Sequence, residues 1–390
     1  MKNLILLLSN TLFLIGCSQP AKYDLVISNV GFFDGIEDHG VVNIGISADS
    51  IASISPDNLA GDSIMDGTGK YIIPGLINSH VHLWTVEQLK ESFQSGILVN
   101  LAMHSGDEEG ESKLKMIGRD SSEVSMLYGA GHAATVPGGH PNQISRNMET
   151  INDSVSIKSW VDNRIVNGAD YIKIVKEDNP FLSYPGLPTL TDQQIGEIID
   201  YSRSKGLMSV VHVSRTDHFR NLLKFNPDGF VHTPHFNPDS TFTDNDWRAL
   251  KESGAFLSPN IKLQVLTFQQ EGEFEQEWVE ENMIGMKDFM AFIKHSHELE
   301  IPLLAGTDSP NNGLNYGSDF IDEVIYFTDA GLSNLEALKT ATGNPSKAFN
   351  LDVGILRKGS QLNMLLLNGN PIEDLEALRD IELIWKNGTQ

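Results

Sequence analysis

Two histidines one residue apart, His80 and His82, close the run Tyr71-Ile72-Ile73-Pro74-Gly75-Leu76-Ile77-Asn78-Ser79-His80-Val81-His82. Pro74-Gly75 breaks the backbone, and the apolar residues after it predict a short buried strand. Side chains alternate across a strand, so the two imidazoles share one face, a few ångströms apart. Neutral imidazoles converging on one point suit a divalent transition metal. The spacing carries little by itself, because the chain has 12 histidines and a second such pair at His295 and His297. That pair follows Asp288-Phe289-Met290-Ala291-Phe292-Ile293-Lys294, whose apolar spacing predicts a helix. On a helix, positions i and i+2 lie about 200° apart, so His295 and His297 cannot share a metal.

Further metal-type side chains stand at the ends of other strand-like runs. They are His212 after Met208-Ser209-Val210-Val211, His232 after Gly229-Phe230-Val231, and Asp308 after Pro302-Leu303-Leu304-Ala305-Gly306-Thr307. His235 rivals His232, but Pro234 ends the strand before it. Helical stretches fit between these runs, such as Asp192 to Lys205 before Gly206, and Asn334 to Thr342 after a Ser333 cap. This alternation from Pro74 to Asn350 predicts an α/β fold, a (β/α)8 TIM barrel, in which functional groups collect at the C-terminal ends of strands. A doubly wound sheet would call for a Gly-rich phosphate loop after the first strand, and the sequence has none. Short β-type runs in 23–73 and 351–390 predict a small β-sandwich domain of antiparallel strands, built from both chain ends.

Lys173 is unusual in lying mid-strand in Tyr171-Ile172-Lys173-Ile174-Val175. The isoleucine face should meet the outer helices, which turns Lys173 inward, where an ammonium is expensive unless paired or chemically altered. Lys176 would face the other way. The bland reading is a lysine that snorkels to the barrel mouth.

The 390 residues carry 28 Lys and Arg against 52 Asp and Glu, a net charge of −24. That balance argues against nucleic acid as a partner, since phosphate binding needs clustered cations. At the N-terminus, Lys2 precedes an apolar run from Leu4 to Ile15, too short to span a bilayer as a mature helix. The run ends Leu14-Ile15-Gly16-Cys17, which resembles the lipobox of bacterial lipoproteins. The resemblance implies a signal peptide over 1–16, lipidation of Cys17, a tether over 17–22 and a cell-envelope location. Ser18 in place of Asp points to the outer membrane under that family's sorting rule. The rival is an ordinary secretory signal. Cys17 is the one cysteine in the chain, so there is no disulfide framework.

Pro74-Gly75-Leu76-Ile77-Asn78-Ser79-His80-Val81-His82 resembles the opening motif of the amidohydrolase superfamily. Gly168-Ala169-Asp170-Tyr171-Ile172-Lys173-Ile174 resembles the fourth-strand segment of its binuclear prolidase-like and imidazolonepropionase-like branch. His212, His232, Gly306-Thr307-Asp308-Ser309 and Ala341-Thr342-Gly343-Asn344-Pro345 are similar to later family segments, so the likeness runs from about residue 22 to the end. It implies that Lys173 takes up CO2 as a carbamate bridging two divalent ions. His80, His82 and Asp308 would hold the first ion, and His212 and His232 the second. A bridging hydroxide would attack an amide carbonyl while Asp308 carries the proton to the leaving nitrogen. Imidazole and carboxylate ligands without thiols suit zinc, with manganese or iron as alternatives.

Thr135-Val136-Pro137-Gly138-Gly139-His140-Pro141 resembles a substrate-side loop of the same branch, which makes His140 a candidate substrate contact. Relatives of prolidase carry an aromatic group shortly after the fifth-strand histidine. Here the sequence reads His212-Val213-Ser214-Arg215, and Arg215 could instead receive a substrate carboxylate. The leading expectation is a metal-dependent hydrolase of small amides, cyclic or linear, dipeptides included. Its rivals are a mononuclear deaminase of the same superfamily, which would not need Lys173, and a non-catalytic solute-binding lipoprotein.

Overall fold

The structure is a computed structural model that describes residues 22–145, 147–178, 186–234, 242–269 and 285–390. Cys17, the expected signal segment 1–16 and His235 lie outside the described residues. The strands, in chain order, begin with β1 (Lys22–Phe33), β2 (Asp38–Ser47), β3 (Ser50–Ser55), β4 (Ala60–Asp66) and β5 (Tyr71–Pro74). Next come β6 (Leu76–Val81), β7 (Ile97–Ala102), β8 (Met126–Gly129), β9 (Ile172–Lys176), β10 (Ser209–Val213), β11 (Gly229–Val231) and β12 (Phe256–Ser258). β13 (Met364–Leu367) and β14 (Ile381–Trp385) complete the series.

Both chain ends meet in one hydrogen-bonded sheet of order β14-β13-β5-β1-β2-β3, with β4 also on β1. Its pivot is β1, antiparallel to β2 along one edge and parallel to β4 and β5 along the other. The sheet is therefore mixed, where the sequence suggested antiparallel pairing throughout. Gly, Asp and Asn mark where the chain turns, but not the strand edge on which it lands. Ile27, Phe32, Ile44, Leu366 and Trp385 pack in a core of their own here.

The remaining strands run parallel, as β6-β7-β8 and as β9 to β12 in order. Isolated parallel bridges Ala134↔Ile174, Leu257↔Leu303 and Val81↔Ser309 join further segments to these strands. Alternation sorts the side chains. Ile172, Ile174, Val211, Val213 and Phe230 face outward against Trp160, Ile195, Ile198 and Phe219, many of them from helices. Tyr171, Val210, Val231, Phe256 and Leu304 fill a separate inner cluster. The helix Asp192–Ser204 starts on a Thr191 cap that is reciprocated by Gln194, and Asn334–Thr340 starts likewise on Ser333 and Glu336. The latter helix stops at Thr340, and a separate helix, Gly343–Phe349, follows. His295 and His297 sit in the helix Met286–Glu298, away from the inner cluster. Among the described residues, no helix is long and apolar enough to cross a membrane.

Candidate metal centre

A β-bulge between Asn78 and Val81 re-aims the end of β6. The Asn78 side chain sits in it, accepting the backbone N–H of His80 (3.3 Å) and Thr307 (3.2 Å) and donating to Thr307 Oγ1 (3.0 Å). Beyond the bulge, the His80 and His82 rings lie 5.6 Å apart. Gly306 lets the neighbouring segment approach, since a Cβ there would fall 2.8 Å from the Cβ of His80 and 2.6 Å from Ser258 Oγ. Asp308 Oδ1 then lies 3.1 Å from His80 Nε2 and 3.0 Å from His82 Nε2.

The protonation of these rings follows from their other contacts. Asn260 donates its Nδ2 to the Gly306 carbonyl (2.7 Å), so its Oδ1 is the atom facing His80 Nδ1 at 3.2 Å. That oxygen only accepts, so His80 carries its hydrogen on Nδ1. The His104 carbonyl faces His82 Nδ1 at 3.1 Å and fixes the same tautomer. Burial holds the His80 imidazole down to about 4, the Asp308 carboxylate only partly offsetting it, so at neutral pH its Nε2 is a bare lone pair. Burial pushes the Asp308 carboxyl up, but the His80 and His232 rings and contacts from His80 and His82 outweigh it and hold it well below the usual range. Asp308 Oδ1 receives no aligned hydrogen bond. At His80 a lone pair therefore faces the Asp308 carboxylate at hydrogen-bond distance with no proton between them. The three donor atoms all lie within 4.8 Å of one another. With bonds of about 2.0–2.1 Å, contacts of this length subtend roughly 95–100° at a shared ion. The residues fit a divalent cation.

The other expected ligands gather around this trio. In β11, Phe230 points outward and Val231 inward, so regular alternation would send His232 outward. Its φ of 60° breaks that alternation, and Asp308 has a φ of 62°. Such left-handed backbone in non-glycine residues is a strain that tends to collect at functional sites. His232 Nε2 ends 3.6 Å from Asp308 Oδ2, and its ring lies 4.8 Å from that of His80 and 4.3 Å from that of His212. Burial foremost keeps His212 and His232 well below the ordinary imidazole value.

Lys173 is 3% exposed, and its Nζ has no hydrogen-bond partner. Its charge is felt by His80, His212 and His232, and Asp308 acts on it in turn. Burial pushes the amine down to about 7 against the pull of Asp308. Lys176 points away, donating to the Leu190 carbonyl at 2.8 Å and meeting Asp192 at 3.1 Å.

His140 stands beside the cluster, with its ring 5.4 Å from that of His212. Arg215 is not a free cation. It donates to both carboxylate oxygens of Asp217 at 3.0 and 2.9 Å and lies 3.8 Å from Asp178. Asn78, Asn260 and the His104 carbonyl escaped the sequence reading because their partners come from distant segments. Glu177, 3.2 Å from His212 Nε2, escaped it too, although alternation from Lys173 through Val175 could have found it. A cleft of about 1020 Å³ opens beside Asn226, Asp228 and Gly254, at the N-terminal ends of β11 and β12, and none of His80, His82, Lys173, His212, His232 and Asp308 lines it.

Known proteins resemble this chain in sequence and in fold. A family model described as "Amidohydrolase family" matches residues 161–390. The chain is 24% identical over 400 residues to a 5-methylthioadenosine/S-adenosylhomocysteine deaminase of Clostridium tetani (strain Massachusetts / E88), covering 90% of this chain and 88% of that protein. Its fold is similar to that of a Xaa-Pro dipeptidase crystallised with methionine in the active site, with TM-score 0.76, 17% identity, and 94% and 98% of the two chains covered. It is also similar to the A. niger ochratoxinase, with TM-score 0.78, 16% identity, and 93% and 94% covered. With the family match spanning more than half its length and a largely buried metal-type trio beside it, the chain belongs to the amidohydrolase family and is a hydrolytic enzyme acting on C–N bonds.

Proposed function

We propose that this is a binuclear, metal-dependent hydrolase of small amides, cyclic or linear, with dipeptides among its candidate substrates. The observation that carries the reading is the convergence of His80 Nε2, His82 Nε2 and Asp308 Oδ1, next to the orphaned amine of Lys173. On this reading the parallel strands and their isolated bridges form a closed (β/α)8 barrel, and the mixed sheet packs as a sandwich-like appendage. His80, His82 and Asp308 hold one divalent ion, with zinc preferred and manganese or iron as alternatives, and His212 and His232 hold a second. When bound, the ions supply a nucleophile at neutral pH and polarise the scissile carbonyl.

The side chains do the rest. An amine held near pH 7 is substantially unprotonated, the form that reacts with CO2, so Lys173 becomes an anionic carbamate and ceases to be a buried cation. Asp308, with Oδ1 turned to His80 and His82, keeps Oδ2 to take a proton and return it to the leaving nitrogen. His140 lies where it can hydrogen-bond a substrate beside His212. Arg215, engaged by Asp217, holds the start of the helix Thr216–Leu222 and is not assigned to a substrate carboxylate. The lipobox-like N-terminus supports a lipid-anchored enzyme of the cell envelope, attached through Cys17.

The test is a metal count on purified protein, joined to a screen of dipeptides, N-acyl amino acids and lactams. About two ions per chain with amide hydrolysis supports the reading. One ion with deamination would favour the mononuclear alternative, and no ion would leave a binding protein.

A further inference from the structure

Glu177 follows the last residue of β9 and lies on the inward face, two positions beyond Val175 and four beyond Lys173. It is 1% exposed. Its Oε2 lies 3.2 Å from His212 Nε2 and accepts the hydroxyl of Ser214, while its backbone N–H donates to Thr189 Oγ1 at 3.2 Å. A carboxylate only accepts, so the ring nitrogen facing it carries the hydrogen. In a neutral imidazole the lone pair is then on Nδ1. This is the reverse of His80 and His82, whose Nδ1 atoms are held by Asn260 and the His104 carbonyl.

We propose that Glu177 is the positioning residue of His212, holding its Nε2–H so that Nδ1 is the atom offered to the second divalent ion. The inference rests on the binuclear reading above and adds the group that holds this ring in place. The Ser214 hydroxyl and the imidazole meet the carboxylate, and the Thr189 contact anchors the Glu177 backbone. Carboxylate partners of this kind orient a metal-binding imidazole and raise its donor strength, and losing one typically weakens the metal about 10- to 100-fold.

The experiment titrates metal-stripped protein with Zn2+ alone, against a competing chelator, for the wild type, Glu177→Ala and Glu177→Gln. The ring tautomers are read in parallel by 15N NMR of labelled histidine. The wild type should bind two ions in separable steps, with His212 in the Nε2–H form. Glu177→Ala should weaken the second step about 10- to 100-fold and leave the first within about twofold. Glu177→Gln, which keeps an oxygen acceptor, should lose less. An unchanged second step in Glu177→Ala, equal weakening of both steps, or an Nδ1–H tautomer in the wild type would each overturn the assignment. Uptake of fewer than two ions by the wild type would instead bring down the binuclear reading, before any variant is compared.

Discussion

Replacing Asn260 by alanine removes one side chain that serves three partners. Its Oδ1 accepts His80 Nδ1–H at 3.2 Å and the His232 backbone N–H at 3.3 Å, and its Nδ2 donates to the Gly306 carbonyl at 2.7 Å. All three partners are buried. At about 1 kcal/mol for each stranded group, the metal-free protein should lose about 3 kcal/mol of stability. Asn260 also has a φ of 56°, where alanine adds roughly 1–2 kcal/mol. The metal effect is separate. With no acceptor on Nδ1, His80 can carry its hydrogen on Nε2, facing Asp308, and the ion must displace it. Affinity at the first site should fall about 10- to 100-fold, or ~1.4–2.7 kcal/mol. Thermal unfolding of the stripped protein reads the first quantity, and Zn2+ competition titration reads the second. Asn260→Asp is the control, since it keeps an acceptor for His80 and tolerates the backbone while losing the donor to Gly306. The reasoning fails if Asn260→Ala is destabilised but binds its first ion as tightly as the wild type, for then Asn260 holds up the backbone and has no say in the tautomer.

Other outcomes are expected. Lys173→Ala should abolish turnover, with partial recovery on adding a small carboxylic acid; undiminished activity would contradict its bridging role. In stripped, CO2-free protein, the Lys173 amine titrates near 7 when folded and near 10.5 when unfolded. Between those values the unfolded chain binds more protons, so stability should rise with pH across that window, by on the order of 5 kcal/mol in total. Lys173→Met should flatten the pH dependence of thermal unfolding, and an unaltered slope would count against it. Gly306→Ala must displace the backbone beside His80, with a loss of about 1–3 kcal/mol in unfolding free energy and weaker first-site binding. Arg215→Ala should leave KM for carboxylate-bearing substrates close to the wild-type value, because its guanidinium is bound to Asp217; a large, carboxylate-specific rise in KM would contradict that.

The site was legible in the sequence where a residue's neighbours along the chain decide its direction. His80 and His82 follow Pro74-Gly75 and an apolar run, Lys173 alternates with isoleucines, and His295 and His297 fall on a helix. It was illegible where backbone or partners break the pattern. His232 turns inward only because its φ is 60°, against the alternation of Phe230 and Val231. Asn260 and Asn78 look like turn residues until distant carbonyls and N–H groups meet them. The pairing of β4 and β5 with β1 is set by which edge is open, which spacing does not encode.

The account stands most directly on the ligand sphere of a bound ion. X-ray absorption of protein loaded with one equivalent of Zn2+ should show at least two imidazole nitrogens and a carboxylate oxygen at about 2.0–2.2 Å, and the double variant His80→Ala and His82→Ala should hold that equivalent more weakly, through His212 and His232 alone. An ion held without imidazole, or held equally well by that variant, would contradict it.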